Sequence, residues 1–217
     1  MTAVLLDLDG TLTDSGPGIM RCVMHALLRM GHEPPPYEEL TACVGPPLSE
    51  TFGRLLPPEQ RDDPARIDQA IELYRERFVP VGAFENSVYP GIDEALGELR
   101  AAGHRLLLCT SKPHLQARRI CDHFGLSRHL HGLYGSELDG TRGDKTSLIS
   151  YVLEREQLGA GTTVMVGDRR HDADGATANG LATLGVTWGY GSAEELTGAG
   201  CVQLVHAPSE LLAALEA

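Results

Sequence analysis

Four short apolar runs constrain the fold of this 217-residue chain more than any other feature. Each run ends at or just before small, polar or acidic residues, and helical patterns separate the runs. Continuous apolar runs of this length, alternating with helices, are typical of parallel strands that are covered on both faces. The sequence therefore predicts an α/β fold built on a doubly wound parallel sheet, in which ligands bind at the carboxyl ends of the strands. The predicted strands are residues 3–6, 106–109, 163–166 and 184–187.

Residues 15–85 carry helical periodicity and no convincing strand pattern. A first helix is expected to begin at a capping residue, Asp14 or Ser15, and further helices are expected near residues 47–56 and 65–78. An all-helical segment between the first strand and the remaining strands indicates an inserted domain. The expected organisation is an α/β core of residues 1–14 and 86–217 with an inserted helical domain of residues 15–85.

Charge and composition limit the partners of the chain. It has 30 Asp and Glu against 18 Lys and Arg, for a net charge of −12, which disfavours nucleic acid and anionic membrane as partners. No apolar run approaches the ~18 residues of a membrane span, and the N-terminal residues do not resemble a signal peptide. The five cysteines form no CxxC pair, which fits a reducing compartment. We therefore expect a cytoplasmic protein.

The first strand runs directly into the sequence Asp7-Leu8-Asp9-Gly10-Thr11. Two carboxylates two residues apart can converge on one site once Gly10 lets the backbone turn sharply. Asp-Gly is also an ordinary turn signal, so this pentad alone leaves a purely structural interpretation open.

The second predicted strand ends at Thr110, Ser111 and Lys112, and Pro113 opens a helix. A hydroxyl group, free backbone N–H groups and a helix N-terminus together favour anion binding, although Ser111 could simply cap the helix. Lys112 and Lys145 are the two lysines among the 18 basic residues. A compact ammonium suits a pocket that a guanidinium would not fit, although chance explains Lys112 equally well.

The third predicted strand is followed by Gly167-Asp168 and then by Asp172 and Asp174. Carboxylate oxygens are the ligands that hard cations such as Mg²⁺ prefer. Because acidic residues also cap helices, we expect either Asp172 or Asp174 to have that structural role instead. Trp188 and Tyr190, after the fourth strand, are expected to pack near a strand end.

In order and spacing, these motifs resemble the four motifs of the haloacid dehalogenase-like superfamily. Within it the chain is similar to the phosphoglycolate phosphatase and bacterial 5′-nucleotidase group, on the basis of residues 44–48, 85–91 and 185–192. The resemblance implies a Rossmann-like core with a helical cap domain. The motifs are Asp7-Leu8-Asp9-Gly10-Thr11, Thr110-Ser111-Lys112-Pro113, Lys145 and Gly167-Asp168-Arg169-Arg170-His171-Asp172.

The resemblance also implies a mechanism, in which a small phosphomonoester is hydrolysed with Mg²⁺ as cofactor. Asp7 would be the nucleophile that forms an aspartyl-phosphate, and Asp9 the general acid and base. The implied catalytic residues are Asp7, Asp9, Thr110 and Lys145, the phosphate-binding residues Gly10, Thr110, Ser111, Lys112 and Lys145, and the metal ligands Asp7, Asp9 through its backbone carbonyl, Asp168 and Asp172.

Several alternatives stay open at this point. A phosphomutase of the same superfamily would carry the same acidic residues, and a phosphoacceptor signalling domain or a non-catalytic binding protein would share part of the set. Thr146 follows Lys145 where many relatives have proline, and this resembles the 5′-nucleotidase-like branch. The substrate could be phosphoglycolate or a 5′-nucleotide, and the protein a monomer or a homodimer.

Overall fold

A computed structural model of the protein describes residues 2–216. The chain divides into two compact units, a core made of the residues up to Asp14 and from Val88 onward, and a helical unit made of Ser15–Ser87. The second junction lies two residues further along the chain than the sequence suggested.

A parallel six-stranded sheet forms the centre of the core unit, in the order β5-β4-β1-β6-β7-β8. The four predicted strands are confirmed, and they occupy the four central positions. The two edge strands, β5 and β8, were missed by the sequence analysis. The strands of the chain are β1 (Ala3–Leu6), β2 (Thr13–Asp14), β3 (Ser87–Val88), β4 (Arg105–Pro113), β5 (Gly132–Ser136), β6 (Thr163–Gly167), β7 (Ala182–Val186) and β8 (Gln203–Val205).

Helices follow the strands of the core, as the alternating pattern predicted, so the α/β class is confirmed. The helical unit contains three α-helices at the predicted places and two 3₁₀ helices, Tyr37–Cys43 and Gly82–Phe84, that were not predicted. The α-helices are α1 (Gly16–Arg29), α2 (Leu48–Leu55), α3 (Pro64–Phe78), α4 (Ile92–Ala101), α5 (His114–His123), α6 (Lys145–Glu156), α7 (Arg170–Ala178), α8 (Ala193–Gly198) and α9 (Leu211–Glu216).

Side-chain alternation along the central strands builds the core. Leu5, Leu107 and Met165 belong to one buried cluster together with Leu148 of α6 and Ala176 of α7. Successive residues of a strand point to opposite faces, so the residues next to these three in their strands point to the other face of the sheet. Burial on both faces explains why these strands read as continuous apolar runs rather than as alternating ones.

The register of the sheet determines where the site lies. Leu6, the last residue of β1, is paired with Leu108 of β4 on one side and with Val166 of β6 on the other. The residues that follow these three positions therefore emerge at the same edge of the sheet. The chain order reverses on either side of β1, and open α/β sheets bind ligands at such a switch point.

The helical unit has its own small core. Tyr74 and Phe78 of α3 stack with ring centroids 5.2 Å apart, and Phe52 of α2 contacts Tyr74 edge-on at 6.4 Å. All three side chains are buried.

Within residues 2–216 the structure contains no helix with the length and hydropathy of a membrane span.

Candidate active site

Three carboxylates meet at the carboxyl edge of the sheet. Asp7 follows β1, Asp168 follows β6, and Asp172 lies in the first turn of α7. One carboxylate oxygen from each residue lies within 4.8 Å of the other two, and the side chains of Asp168 and Asp172 are fully or almost fully buried. A buried cluster of this kind, made of oxygen ligands alone, has the chemistry of a site for a hard divalent cation.

One ammonium group lies inside this cluster. Lys145 is the first residue of α6, and its Nζ lies 2.9 Å from Asp7 Oδ1 and 2.8 Å from Asp172 Oδ1. The same group donates a hydrogen bond to the backbone carbonyl of Cys109, at 3.0 Å.

Asp144, immediately before Lys145, caps α6 by accepting from the N–H of Ser147 at 2.9 Å, so the start of the helix and the lysine are held in place.

Burial and charge act together on the ionisable groups of the cluster. Burial, reinforced by the negative charges of Asp172 and Asp7, raises the pKa of Asp168 well above its usual value. Burial also raises the pKa of Asp172, although the charge of Lys145 opposes this. For Lys145, burial disfavours the ammonium, but the charges of Asp172 and Asp7 outweigh that effect and raise its pKa. Three carboxyl groups therefore surround one ammonium group, and burial disfavours having all three ionised at once.

A second lysine–carboxylate pair involves Asp9. Lys112 Nζ lies 2.7 Å from Asp9 Oδ2, and 6% of the Lys112 side chain is exposed. The other oxygen, Asp9 Oδ1, is buried and has no hydrogen-bond partner within residues 2–216. Thr110 Oγ accepts from the backbone N–H of Lys112 at 3.3 Å, which links the pair to the end of β4. Lys145 therefore contacts β4 at Cys109, three residues before Lys112 in the same strand.

Gly10 lies against the cluster. It has a φ of +85°, and a Cβ added there would lie 2.2 Å from Asp168 Oδ2. A side chain is therefore excluded on two grounds, backbone conformation and space. The sharp turn that the sequence suggested for Asp-Gly is present, and it lets the chain pass directly over Asp168.

The residues predicted at the strand and helix ends differ in their burial and in their hydrogen-bond partners. Asp172 lies in the cluster and also caps α7, because its Oδ2 accepts from the N–H of Arg169 at 3.2 Å. Asp174 instead pairs with Arg170, and about half of each side chain is exposed. Ser111 contributes its carbonyl oxygen to a 2.8 Å hydrogen bond from the Ser136 hydroxyl. Burial thus places Asp172, and not Asp174, in the cluster, and the capping role that was expected of one of them also belongs to Asp172.

Three residues hold Asp168 that the sequence pattern did not connect with it. Thr11 Oγ donates to Asp168 Oδ1 at 3.2 Å, and the backbone N–H of Tyr190 donates to Asp168 Oδ2 at 2.8 Å. The indole N–H of Trp188 donates to the carbonyl of Thr11 at 3.0 Å. Trp188 and Tyr190 lie just after the end of β7, as expected, and they also make hydrogen bonds to Thr11 and Asp168 that were not predicted. Glycines on both sides of Tyr190 were the signal that could have identified this loop.

The helical unit carries polar side chains of the kind that bind phosphate esters, among them Arg21, His25, Arg54 and Arg75. Within the helical unit, Arg21 pairs with Glu85 at 3.0 Å, and Arg54 donates to the carbonyl of Ala42 at 3.1 Å. His25 lies 4.0 Å from the carboxylate of Glu76. The two arginines thus already have acceptors inside this unit.

Comparison with known proteins shows which family the chain resembles. The family model described as haloacid dehalogenase-like hydrolase matches residues 4–186. A 5′-nucleotidase of Pseudomonas aeruginosa is 47% identical over 193 residues, which are 89% of this chain and 86% of that protein. The tyrosine-protein kinase PtkA of Mycobacterium tuberculosis is 40% identical over 204 residues, 94% of this chain and 68% of that protein.

A solved structure shares the whole architecture. The crystal structure of a predicted phosphatase from Clostridium acetobutylicum has a TM-score of 0.93 and 38% sequence identity, and the alignment covers 100% of this chain and 99% of that one. The chain belongs to the haloacid dehalogenase-like hydrolase family. Among its relatives, the names 5′-nucleotidase and phosphatase support a phosphomonoester hydrolase.

Proposed function

We propose that this protein is a Mg²⁺-dependent phosphatase that hydrolyses a small phosphomonoester through an aspartyl-phosphate on Asp7. The observation that carries the proposal is the buried cluster of Asp7, Asp168 and Asp172 around the ammonium of Lys145. Transfer of a phosphoryl group to a carboxylate requires a nucleophile, acidic metal ligands and positive charge. All of these groups lie at one edge of the sheet.

The residues present fit a magnesium ion. Three ionised carboxylates against one lysine would leave two excess negative charges in a buried site, and burial raises the pKa values of Asp168 and Asp172 because it disfavours their charged forms. A divalent cation would balance those charges. Asp7, Asp168, Asp172 and the backbone carbonyl of Asp9 would hold it. When bound, it would supply positive charge that reduces the repulsion between a carboxylate and a phosphate dianion.

In the first step a carboxylate oxygen of Asp7 attacks phosphorus, and the bond from phosphorus to the ester oxygen breaks. Lys145 Nζ, 2.9 Å from Asp7 Oδ1, holds this carboxylate in one orientation. The same ammonium can also bind a non-bridging phosphate oxygen, where negative charge persists through the transition state. Thr110 and the backbone of Ser111, at the end of β4, would supply further hydrogen bonds to the phosphate.

Asp9 transfers the proton in both steps. Protonated Asp9 gives its proton to the leaving alkoxide, and the resulting carboxylate then takes a proton from the water that attacks the aspartyl-phosphate. This second attack releases inorganic phosphate and regenerates Asp7. The buried Oδ1 of Asp9, without a hydrogen-bond partner in the described chain, supports this role because it is an acceptor left open. Lys112, 2.7 Å from Asp9 Oδ2, orients the carboxylate and adds positive charge for the phosphate.

The substrate we favour is a 5′-nucleotide, with phosphoglycolate as the second choice. The Pseudomonas aeruginosa relative named 5′-nucleotidase, which is 47% identical, supports this order. We further propose that the helical unit, Ser15–Ser87, acts as the cap domain that selects the substrate.

The test is phosphate release by the purified protein from 5′-nucleotides, phosphoglycolate and sugar phosphates, with Mg²⁺ or with EDTA. Asp7→Asn should lower release by at least about a thousandfold, because a carboxamide is a poor nucleophile. Asp174→Asn is the matched control, since Asp174 is an acidic residue of α7 that lies outside the cluster.

The outcomes separate the possible functions. Release that depends on Mg²⁺ and is lost only in Asp7→Asn supports the phosphatase and ranks its substrates. Release that persists in Asp7→Asn overturns the nucleophile assignment. A protein that moves phosphate within a sugar phosphate and releases little of it would be a phosphomutase, and one that labels protein tyrosines from ATP would be a kinase.

A further inference from the structure

The loop of residues 188–191 follows β7 and closes on Asp168. The backbone N–H of Tyr190 donates to Asp168 Oδ2 at 2.8 Å. On the other side, the Trp188 indole holds the carbonyl of Thr11, whose hydroxyl donates to Asp168 Oδ1. Both oxygens of this buried carboxylate thus accept a hydrogen bond from the loop or from the residue that the loop holds.

Glycines on both sides of Tyr190 allow this close approach. A Cβ at Gly189 would lie 2.4 Å from Asp168 Cβ, and one at Gly191 would lie 2.0 Å from the Asp168 carbonyl oxygen. Neither position can carry a side chain without displacing the loop or Asp168. Tyr190 is consequently the one residue between them whose side chain can anchor the loop.

The hydrogen-bond partners of the Tyr190 side chain lie at the ends of the two chain segments that form the core unit. Its hydroxyl donates to the Asp14 carboxylate, and its side chain is also a hydrogen-bond partner of Tyr89. Asp14 is the last core residue before the helical unit, and Tyr89 is the second core residue after it. Tyr89 is itself held by a 3.1 Å hydrogen bond from its N–H to the carbonyl of Leu12. One phenol therefore ties the loop to both places where the chain leaves and re-enters the core.

We propose that Tyr190 is a positioning residue that holds Asp168 in the orientation needed to bind a divalent cation. The inference rests on the metal site of the proposed function. Its physical basis is that a fully buried carboxylate keeps its orientation only while its hydrogen-bond donors stay in place. Without the phenol anchor, the loop can shift away from Asp168, and the donor from Tyr190 N–H is weakened.

The test measures Mn²⁺ binding in the absence of substrate, from the electron paramagnetic resonance signal of the free ion. Tyr190→Phe removes the hydroxyl and keeps the ring. Asp14→Ala removes the acceptor of the same hydrogen bond and keeps the tyrosine, so it serves as the second variant if the first folds poorly. Tyr134→Phe is the matched control, because Tyr134 in β5 also donates to a carboxylate, that of Glu156.

We expect Tyr190→Phe and Asp14→Ala each to weaken Mn²⁺ binding roughly tenfold, the lower end of the effect of removing outer partners of metal ligands. The double variant should bind Mn²⁺ no more weakly than Tyr190→Phe alone, because that substitution already removes the hydrogen bond that Asp14→Ala removes. Turnover at limiting Mg²⁺ should fall, while KM for the phosphate ester stays within about twofold of wild type, since Tyr190 is assigned no contact with substrate. Tyr134→Phe should bind Mn²⁺ as wild type does.

Each outcome is decisive. If Tyr190→Phe binds Mn²⁺ as tightly as wild type, the positioning role is overturned and the proposed phosphatase function stands. If the Tyr134→Phe control weakens Mn²⁺ binding as much as Tyr190→Phe, the effect is general destabilisation and the role is again overturned. If the wild-type protein binds no Mn²⁺, both this role and the metal site of the proposed function are overturned.

Discussion

The ammonium group of Lys145 lies 2.8 Å from Asp172 Oδ1, so the first residue of α6 is ion-paired with the first turn of α7. The same ammonium is shared with Asp7 at the end of β1. A single buried cation thus joins one strand and two helices at the switch point of the sheet. Because it serves two carboxylates, and because Asp168 has no cationic partner within residues 2–216, the geometry favours binding of a further cation.

Magnesium should stabilise the fold through this cluster. At a Mg²⁺ concentration of about a hundred times its Kd, the free energy of unfolding should rise by about 2.7 kcal/mol relative to EDTA. Asp168→Asn should lose most of that gain, because it removes a ligand and a negative charge. Urea denaturation with Mg²⁺ and with EDTA measures both quantities. Asp174→Asn is the control and should gain as much as wild type; an equal gain in Asp168→Asn would contradict the assigned ligand.

Asp9→Asn should lower kcat by roughly a hundredfold or more, the usual scale of general acid and base catalysis. The carboxamide keeps the size of the side chain and an acceptor for Lys112, so KM should change little. Steady-state kinetics on the best substrate of the panel separate the two parameters. A rise in KM with unchanged kcat would mean that Asp9 only binds the substrate.

Gly189→Ala should weaken metal binding and turnover, since the added methyl group would lie 2.3 Å from the Gly10 carbonyl oxygen and 2.4 Å from Asp168 Cβ. Overpacking of this kind costs about 1–3 kcal/mol of stability. Gly198→Ala, in α8, is the matched control because no atom lies within 4 Å of its added Cβ. Thermal denaturation and Mn²⁺ titration of both variants test the prediction, and identical behaviour of the two would refute it.

Glu85 should make the stability of the helical unit depend on pH. Hydrogen bonds from Arg77, at 2.6 and 3.0 Å, and secondarily one from Arg21 hold the pKa of Glu85 below its usual value. A lowered folded-state pKa contributes stability that is present above the unfolded-state value and is lost as the pH falls through the folded-state value.

Glu85→Gln should therefore cost about 1 kcal/mol at neutral pH. The difference from wild type should shrink as the pH falls from about 5 to about 3, around and below the ordinary carboxyl pKa. Chemical denaturation across this pH range provides the measurement. Glu76→Gln is the control, because its pair with Arg29 is half-exposed on both sides and should contribute less. A difference that persists unchanged at pH 3 would contradict the argument.

Periodicity and strand-end chemistry determined much of this protein from the sequence alone. The four central strands and the helices of residues 15–85 could be predicted because burial on both faces, or on one helical stripe, leaves a strong apolar pattern. Asp7, Asp9, Asp168 and Lys145 could be singled out because they stand at strand and helix ends in an order and spacing that resembles the four motifs of the superfamily. The edge strands β5 and β8 escaped because short strands paired on one side, such as Gly132–Ser136, carry no continuous apolar run.

Only the tertiary structure decided which groups touch. Asp172 and Asp174 look equivalent in the sequence, but the helical rotation between them buries one beside Lys145 and exposes the other. Lys112 could not be assigned until the extended β4 brought its ammonium to Asp9. Tyr190 and Trp188 could not be connected to Asp168 by pattern, because hydrogen bonds across strands β1, β6 and β7 depend on sheet order. The local sequence pattern shows which face of a helix or strand is buried. The side-chain contacts of a residue depend instead on the register and order of strands that are distant in sequence.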